Sequence, residues 1–139
     1  MRICLFTDSF LPYISGVSTA VFNQANELAS RGHEVSIFHP RAKSCDQLDT
    51  VPGLDPSIRT FGLPLSVPVS GVPKLRFSVP LFLYAYRRLN QAAPDLIHVH
   101  SEFGCGLEGM LLGRWKRVPV IGTFHTFFAE PEYLKQFRI

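Results

Sequence analysis

The sequence predicts a doubly wound α/β domain built on a parallel sheet, and three observations predict it. Short apolar runs rich in Val, Ile, Leu and Phe recur without polar alternation, as strands covered on both faces require. Between them lie segments whose apolar residues return every three or four positions, the period of a helix with one buried face. The two kinds of segment alternate, and strands joined by crossover helices pair in parallel. With 139 residues, 46% of them hydrophobic, the chain is expected to be one domain, residues 1–139, with a sizeable core.

Ile3, Cys4, Leu5 and Phe6 form the first expected strand. A loop carrying Asp8, Pro12 and Gly16 leads from it into a helix marked by Val17, Ala20, Val21, Ala25 and Leu28. Ser15 or Ser18 supplies the start of that helix and Gly32 its stop. Val35, Ser36, Ile37 and Phe38 make a second strand, ended by His39 and Pro40. Residues 41–80 then hold Pro52, Pro56, Pro64, Pro68, Pro73 and Pro80. Beyond a short strand at residues 58–61, this stretch is expected to be loop, because proline neither donates into a sheet nor continues a helix. Its Leu65, Val67, Val69 and Val72 suit a packed loop or one that faces an apolar partner.

Leu81, Tyr84, Ala85, Arg88 and Leu89 give the next helix, and Phe77, Phe82, Leu83 and Tyr86 widen its apolar arc. Such a helix is expected to be buried; the alternative is a lipid-facing surface with Arg76, Arg87 and Arg88 at the headgroups. Leu96, Ile97, His98, Val99 and His100 form the third clear strand. A helix follows with Leu107, Met110, Leu111 and Trp115 on one face. Residues 118–123 form the fourth clear strand and end in Phe124, His125 and Thr126, with another helix starting near residue 132.

The net charge of +3 is scattered, which argues against a nucleic-acid binder. Arg114, Lys116 and Arg117 cluster at one helix end, as the negative end of the helix dipole favours or as a docking patch for anionic lipid requires. Cys4, Cys45 and Cys105 show no Cys-x-x-Cys spacing and fit a reducing cytoplasm. Asp8 and Pro12 interrupt the N-terminal apolar run too early for a signal peptide. No run reaches the about 20 apolar residues of a membrane span.

In an open parallel sheet, ligands bind beyond the C-terminal ends of the strands. Thr7, Asp8 and the Gly16 loop stand at that edge after the first strand, and His39 after the second. His100, Ser101 and Glu102 follow the third, and Thr123, His125 and Thr126 the fourth. A loop with a glycine that opens a helix brings backbone N–H groups and a positive helix end together, which suits a phosphate. It is neither a dinucleotide fingerprint nor a P-loop, lacking both G-x-G-x-x-G and Gly-Lys-Ser/Thr. His98 and His100, two apart on a strand, point the same way. They hold zinc if His125 or Glu102 completes the set; otherwise one is a core residue and the other faces the cleft. His125, directly after a strand and flanked by Thr123 and Thr126, is the first candidate to hydrogen-bond a substrate hydroxyl. Asp8 and Glu102 are candidates for positioning or proton acceptance, with loop capping the alternative for Asp8.

Four stretches together resemble family 4 glycosyltransferases. They are Met1-Arg2-Ile3…Phe6-Thr7-Asp8…Phe10-Leu11-Pro12…Ser15-Gly16-Val17; Leu28-Ala29-Ser30-Arg31-Gly32-His33-Glu34-Val35; Pro94-Asp95-Leu96-Ile97-His98-Val99-His100-Ser101-Glu102-Phe103; and Val118-Pro119-Val120-Ile121-Gly122-Thr123-Phe124-His125-Thr126. The flavour is that of the branch that glycosylates membrane lipids, such as diacylglycerol glucosyltransferases and phosphatidylinositol mannosyltransferases. The resemblance implies the Rossmann-like N-terminal, acceptor-side half of a GT-B architecture. It implies retaining transfer of a hexose from a nucleotide-diphosphate sugar to a lipid or glycan hydroxyl, with no permanently bound cofactor or obligatory metal. Ser15, Gly16 and Val17 would meet the donor diphosphate and His125 its sugar, with Asp8 as a second catalytic candidate. His100, Glu102 and Thr126 would line the cleft. Many members carry Gly-Gly where this chain has Ser15-Gly16. The resemblance also implies a C-terminal donor-binding domain or separate subunit, absent here, without which the chain is expected to be inactive. Its place would be cytoplasmic, peripheral on the inner face of the membrane. The competing readings are a noncatalytic module that recruits a partner or membrane through residues 52–80 and the Phe77–Leu89 helix, and a zinc hydrolase using His98, His100 and His125.

Overall fold

The computed structural model describes residues 1–41, 51–71 and 76–125. Five strands form one parallel sheet: β1 (Arg2–Phe6), β2 (Glu34–Pro40), β3 (Arg59–Leu63), β6 (Leu96–Val99) and β7 (Val120–Gly122). They lie in the order β3-β2-β1-β6-β7, so the chain leaves β1 in one direction and later returns to its other side. That reversal beside β1 is the topological switch at which doubly wound sheets bind ligands. The fold is Rossmann-like, as the alternation of segments predicts.

Alternating residues of each strand enter separate cores. Ile3, Leu5, Val35 and Ile37 pack with Val21 and Ala25 of α1 (Gly16–Ser30). Cys4, Phe6, Phe38, Ile97 and Val99 pack on the other face with α2 (Phe82–Ala92) and α3 (Gly104–Lys116). Phe6 and Phe38, paired in register, stack with ring centroids 4.4 Å apart. Helix α1 starts and stops where its polar residues predict. Ser15 and Ser18 form a reciprocal capping box, and Gly32, at φ +84°, closes the end with its N–H on Ala29 O while His33 N–H reaches Leu28 O.

Two expectations are corrected. Residues 64–80 are not all loop: β4 (Ser66–Pro68) and β5 (Arg76–Ser78) pair antiparallel as a separate ribbon. A proline at the end of an isolated two-strand ribbon deprives no third strand of a donor, so Pro68 is tolerated there. Arg76 stitches the ribbon, its Nε donating to Ser66 Oγ at 2.7 Å and its Nη2 to Ser66 O at 2.6 Å. Helix α2 is buried only along Ala85, Leu89 and Ala92, while Leu81, Phe82 and Leu83 are exposed at its start.

In α3, Leu107, Met110, Leu111 and Trp115 share a face, and that face points outward. The inward face carries Gly106, Gly109 and Gly113 beside Cys105, Glu108 and Leu112. The helix lies so close to the sheet that a Cβ on Gly109 would sit 2.7 Å from the Phe6 ring, and one on Gly113 2.3 Å from Val120. No larger side chain fits that contact. Trp115, 68% exposed, stacks on Tyr86 of α2 at 5.1 Å. Thr126 and Cys45 lie outside the described residues, as do Val72, Pro73 and the helix expected from residue 132.

Candidate functional site

The loop after β1 and the start of α1 form the first part of the site. Thr7 Oγ1 donates to Ser9 O at 2.9 Å, and the hydroxyls of Ser9 and Ser15 are 2.7 Å apart, which holds the loop against the helix. Ser15 Oγ accepts from Ser18 N–H at 3.1 Å, and Ser15 N–H donates to Ser18 Oγ at 2.7 Å. The N–H groups of Gly16 and Val17 take no partner among the described residues. Gly16 is exposed, and nothing stands within 4 Å of where its Cβ would be. Helix α1 therefore presents two unengaged N–H donors and its positive end to open space.

Asp8 faces the other way. It is 5% exposed and accepts four hydrogen-bond contacts from three donors, one on each of three residues. Cys105 N–H reaches both of its oxygens at 3.0 and 3.2 Å, Ser78 N–H donates at 3.2 Å, and Ser101 Oγ–H at 2.7 Å. Burial raises its carboxyl above the ordinary range, against the lowering pull of those donors. This geometry is that of a capping carboxylate for α3, whose own N-cap residue, Phe103, has no side-chain cap. The capping alternative for Asp8 is thus the one its contacts match.

Beyond β6 and β7, three histidines come together. His98 Nδ1 stands 3.2 Å from the Gln24 amide nitrogen, and its Nε2 2.7 Å from Thr123 Oγ1. The His98 and His100 rings lie 4.1 Å apart, and His100 Nδ1 is 3.0 Å from His125 Nε2. Burial lowers both His98 and His100, the latter to about 3, so both are neutral near pH 7. His98 and His100 do point the same way, as their spacing predicts, but their rings stack instead of converging on a point. Among the described residues no three His, Cys, Asp or Glu side chains group as metal ligands. Glu102, half-buried in the bend after β6, joins none of these bonds.

A third part was not legible in the sequence. A cleft of about 540 Å³ opens between the loop at Phe10, Pro12 and Ile14 and the ends of β2 and β3 at His39, Arg41 and Thr60. Its walls are largely apolar. His39 leans on Phe10 at 5.2 Å and its Nδ1 is 3.0 Å from Pro40 O, which it can only approach as a donor. That leaves Nε2 as a lone-pair acceptor on a ring whose pKa burial lowers. Glu108 was also missed. It is fully buried in α3, and neither of its oxygens has a hydrogen-bond partner among the described residues. Burial pushes its carboxyl up to about 7.

Residues 14–139 match the sequence profile of Glycosyltransferase Family 4. An alpha-monoglucosyldiacylglycerol synthase of Streptococcus pneumoniae is 34% identical over 130 residues, 94% of this chain and 28% of that protein. A GDP-mannose-dependent alpha-mannosyltransferase of Mycobacterium tuberculosis is 30% identical over 133 residues, 91% of this chain and 32% of that protein. The chain thus spans about a third or less of the curated relatives it matches. Among solved structures, a sucrose-phosphate synthase from Thermosynechococcus elongatus superposes with a TM-score of 0.63 at 14% identity, covering 96% of this chain and 36% of its own. That likeness shows a shared fold.

Proposed function

This chain belongs to glycosyltransferase family 4, and from that premise we propose that it is the N-terminal, acceptor-side half of a nucleotide-sugar-dependent transferase that glycosylates a lipid. The observation that carries this reading is the open start of α1, where Gly16 and Val17 N–H groups face space at the sheet's ligand-binding edge. A diphosphate there gains charge-assisted bonds from fixed donors, which also stabilise the charge growing on the leaving group during retaining transfer. Ser15 holds those donors through the capping box. His125, at the same edge, meets the donor sugar. His100 lies behind it, Asp8 positions the loop, and Glu102 lines the cleft. The apolar cleft at Phe10 and His39 takes the acceptor, with His39 Nε2 receiving a hydroxyl proton in a hydrogen bond.

The rest of the nucleotide needs a second wall, so the chain alone is inactive and works with a donor domain on the same polypeptide or on a partner subunit. The outward stripe of Leu107, Leu111 and Trp115, beside Arg114, Lys116 and Arg117, supports peripheral docking on an anionic cytoplasmic membrane face. No helix among the described residues is long and apolar enough to cross a membrane. The noncatalytic alternative keeps this docking and drops the chemistry.

Supplying the C-terminal two-thirds of a relative in trans, with UDP-glucose or GDP-mannose and dispersed diacylglycerol, tests the reading. Sugar transfer that needs both polypeptides and falls at least tenfold with His125→Ala is the expected result. A well-folded pair that transfers no sugar from any donor overturns it and leaves the binding module.

A further inference from the structure

The histidine ladder fixes more than the position of His125. His98 is set first. The Gln24 amide nitrogen can only donate, so His98 Nδ1 accepts, and its Nε2–H donates to Thr123 Oγ1 at 2.7 Å. That bond ties β6 to the residue two before His125, and Thr123 N–H also donates to Val99 O at 2.9 Å.

His100, 4% exposed, lies between the rings of His98 and His125. Its Nε2 is buried and has no partner among the described residues. Its Nδ1 shares one proton with His125 Nε2 across 3.0 Å. Two neutral arrangements satisfy that contact. In one, His125 Nε2–H donates, and His100 must then carry its own proton on Nε2, where a buried N–H is left unsatisfied. In the other, His100 Nδ1–H donates, and only a lone pair is left unsatisfied at Nε2. Orphaned buried N–H groups are the rarer of the two in folded proteins. A charged His100 would bury two N–H donors against one acceptor, and its pKa of about 3 keeps it neutral.

We infer that His100 is a positioning residue that donates from Nδ1 to His125 and so holds His125 as its Nδ1–H tautomer. The inference rests on the reading that His125 meets the donor sugar, and it specifies what that ring offers. His125 is exposed, and its Nδ1 has no partner among the described residues. The ring therefore presents one N–H donor, suited to a sugar hydroxyl oxygen or a phosphate oxygen, and its lone pair is spent inward. It selects an acceptor atom on the ligand. It cannot take a proton at Nε2 without breaking its bond to His100.

The tautomer is read directly on this chain by long-range proton–nitrogen correlation of its labelled histidine rings, above about pH 8 where free imidazole is neutral. His125 is expected as the Nδ1–H form. His100→Phe, which keeps a ring in the stack and removes the donor, is expected to lower the ratio of Nδ1–H to Nε2–H on the order of fivefold. His100→Asn, which puts an amide N–H near the lost Nδ1–H, is expected to restore it. An Nε2–H form of His125 in the unaltered chain overturns the inference, whether or not the variants fold, and so does an unchanged ratio in a folded His100→Phe protein. Neither nucleotide nor acceptor is present in this measurement, so it stands apart from the outcome of the transfer assay.

Discussion

Helices α1 and α3 flank the same parallel sheet and begin at the same edge of it, α1 on one face and α3 on the other. Each opens on a glycine, Gly16 or Gly104. The first turn of α3 is filled by the chain itself: Asp8 accepts Cys105 N–H, and Ser78 O crowds the place where a Gly104 Cβ would stand. The first turn of α1 is capped by Ser15 and otherwise open. Two positive helix ends therefore divide the work. One anchors a buried carboxylate and locks the ribbon and the β1 loop onto the sheet. The other is left open, the place where we propose an anion from outside to sit. Sequence position and glycine content do not distinguish them; neighbours do.

The largest expected break in this comparison is the pair Gly104→Ala and Gly16→Ala. A Cβ on Gly104 would lie 1.8 Å from the backbone oxygen of Ser78, so a shift of the ribbon or helix is forced and about 3 kcal/mol or more is lost. Gly16→Ala meets nothing within 4 Å and is expected to be neutral or to gain about 0.5 kcal/mol by restricting the unfolded chain. Urea denaturation of both variants reads the contrast, and equal losses would erase it.

Next come the two caps. Asp8→Ala strands the N–H groups of Cys105 and Ser78 and the hydroxyl of Ser101, and is expected to cost about 2–3 kcal/mol. Ser15→Ala removes one surface cap and is expected to cost about 1 kcal/mol. The same denaturation series measures both, and a cheaper Asp8→Ala than Ser15→Ala would contradict the capping role.

A pH dependence sharpens the α3 side. Glu108 is buried there and keeps its proton up to about pH 7 in the folded chain, against 4.5 ordinarily. Between those values the folded state binds more protons than the unfolded one, so this group's contribution to stability falls as pH rises through the window and levels off above it. Asp8, raised in the same direction, adds to the slope, and comparison with Glu108→Gln isolates the Glu108 share. Relative to Glu108→Gln, the unaltered chain is expected to lose about 3 kcal/mol across that window. Parallel stability profiles would show that Glu108 does not titrate there.

Much of this was legible before any coordinates. The apolar runs located β1, β2, β6 and β7, the serines and Gly32 bracketed α1, and the two-residue spacing placed His98 and His100 on one side of a strand. The ribbon of β4 and β5 was not legible, because prolines at its ends read as loop whatever the residues between them pair with. Which face of α3 turns inward was not legible for a related reason. Periodicity tells which residues share a face, but close packing of Gly109 and Gly113 on Phe6 and Val120 decides which face goes in. The cleft at Phe10 and His39 joins two loops that are remote in sequence and carries no motif.

The amino-acid order by itself determined the alternation of strand and helix, and with it the edge at which the loops collect, since both follow from continuous apolar runs and a 3.6-residue period acting locally. Tertiary structure alone decided which helix start is free and which nitrogen of His125 faces outward. Those outcomes depend on contacts between distant parts of the chain: Asp8 with Ser78 and Cys105, 70 and 97 residues away, and His100 with His125, 25 residues away. Such partners meet only once the sheet has closed around them.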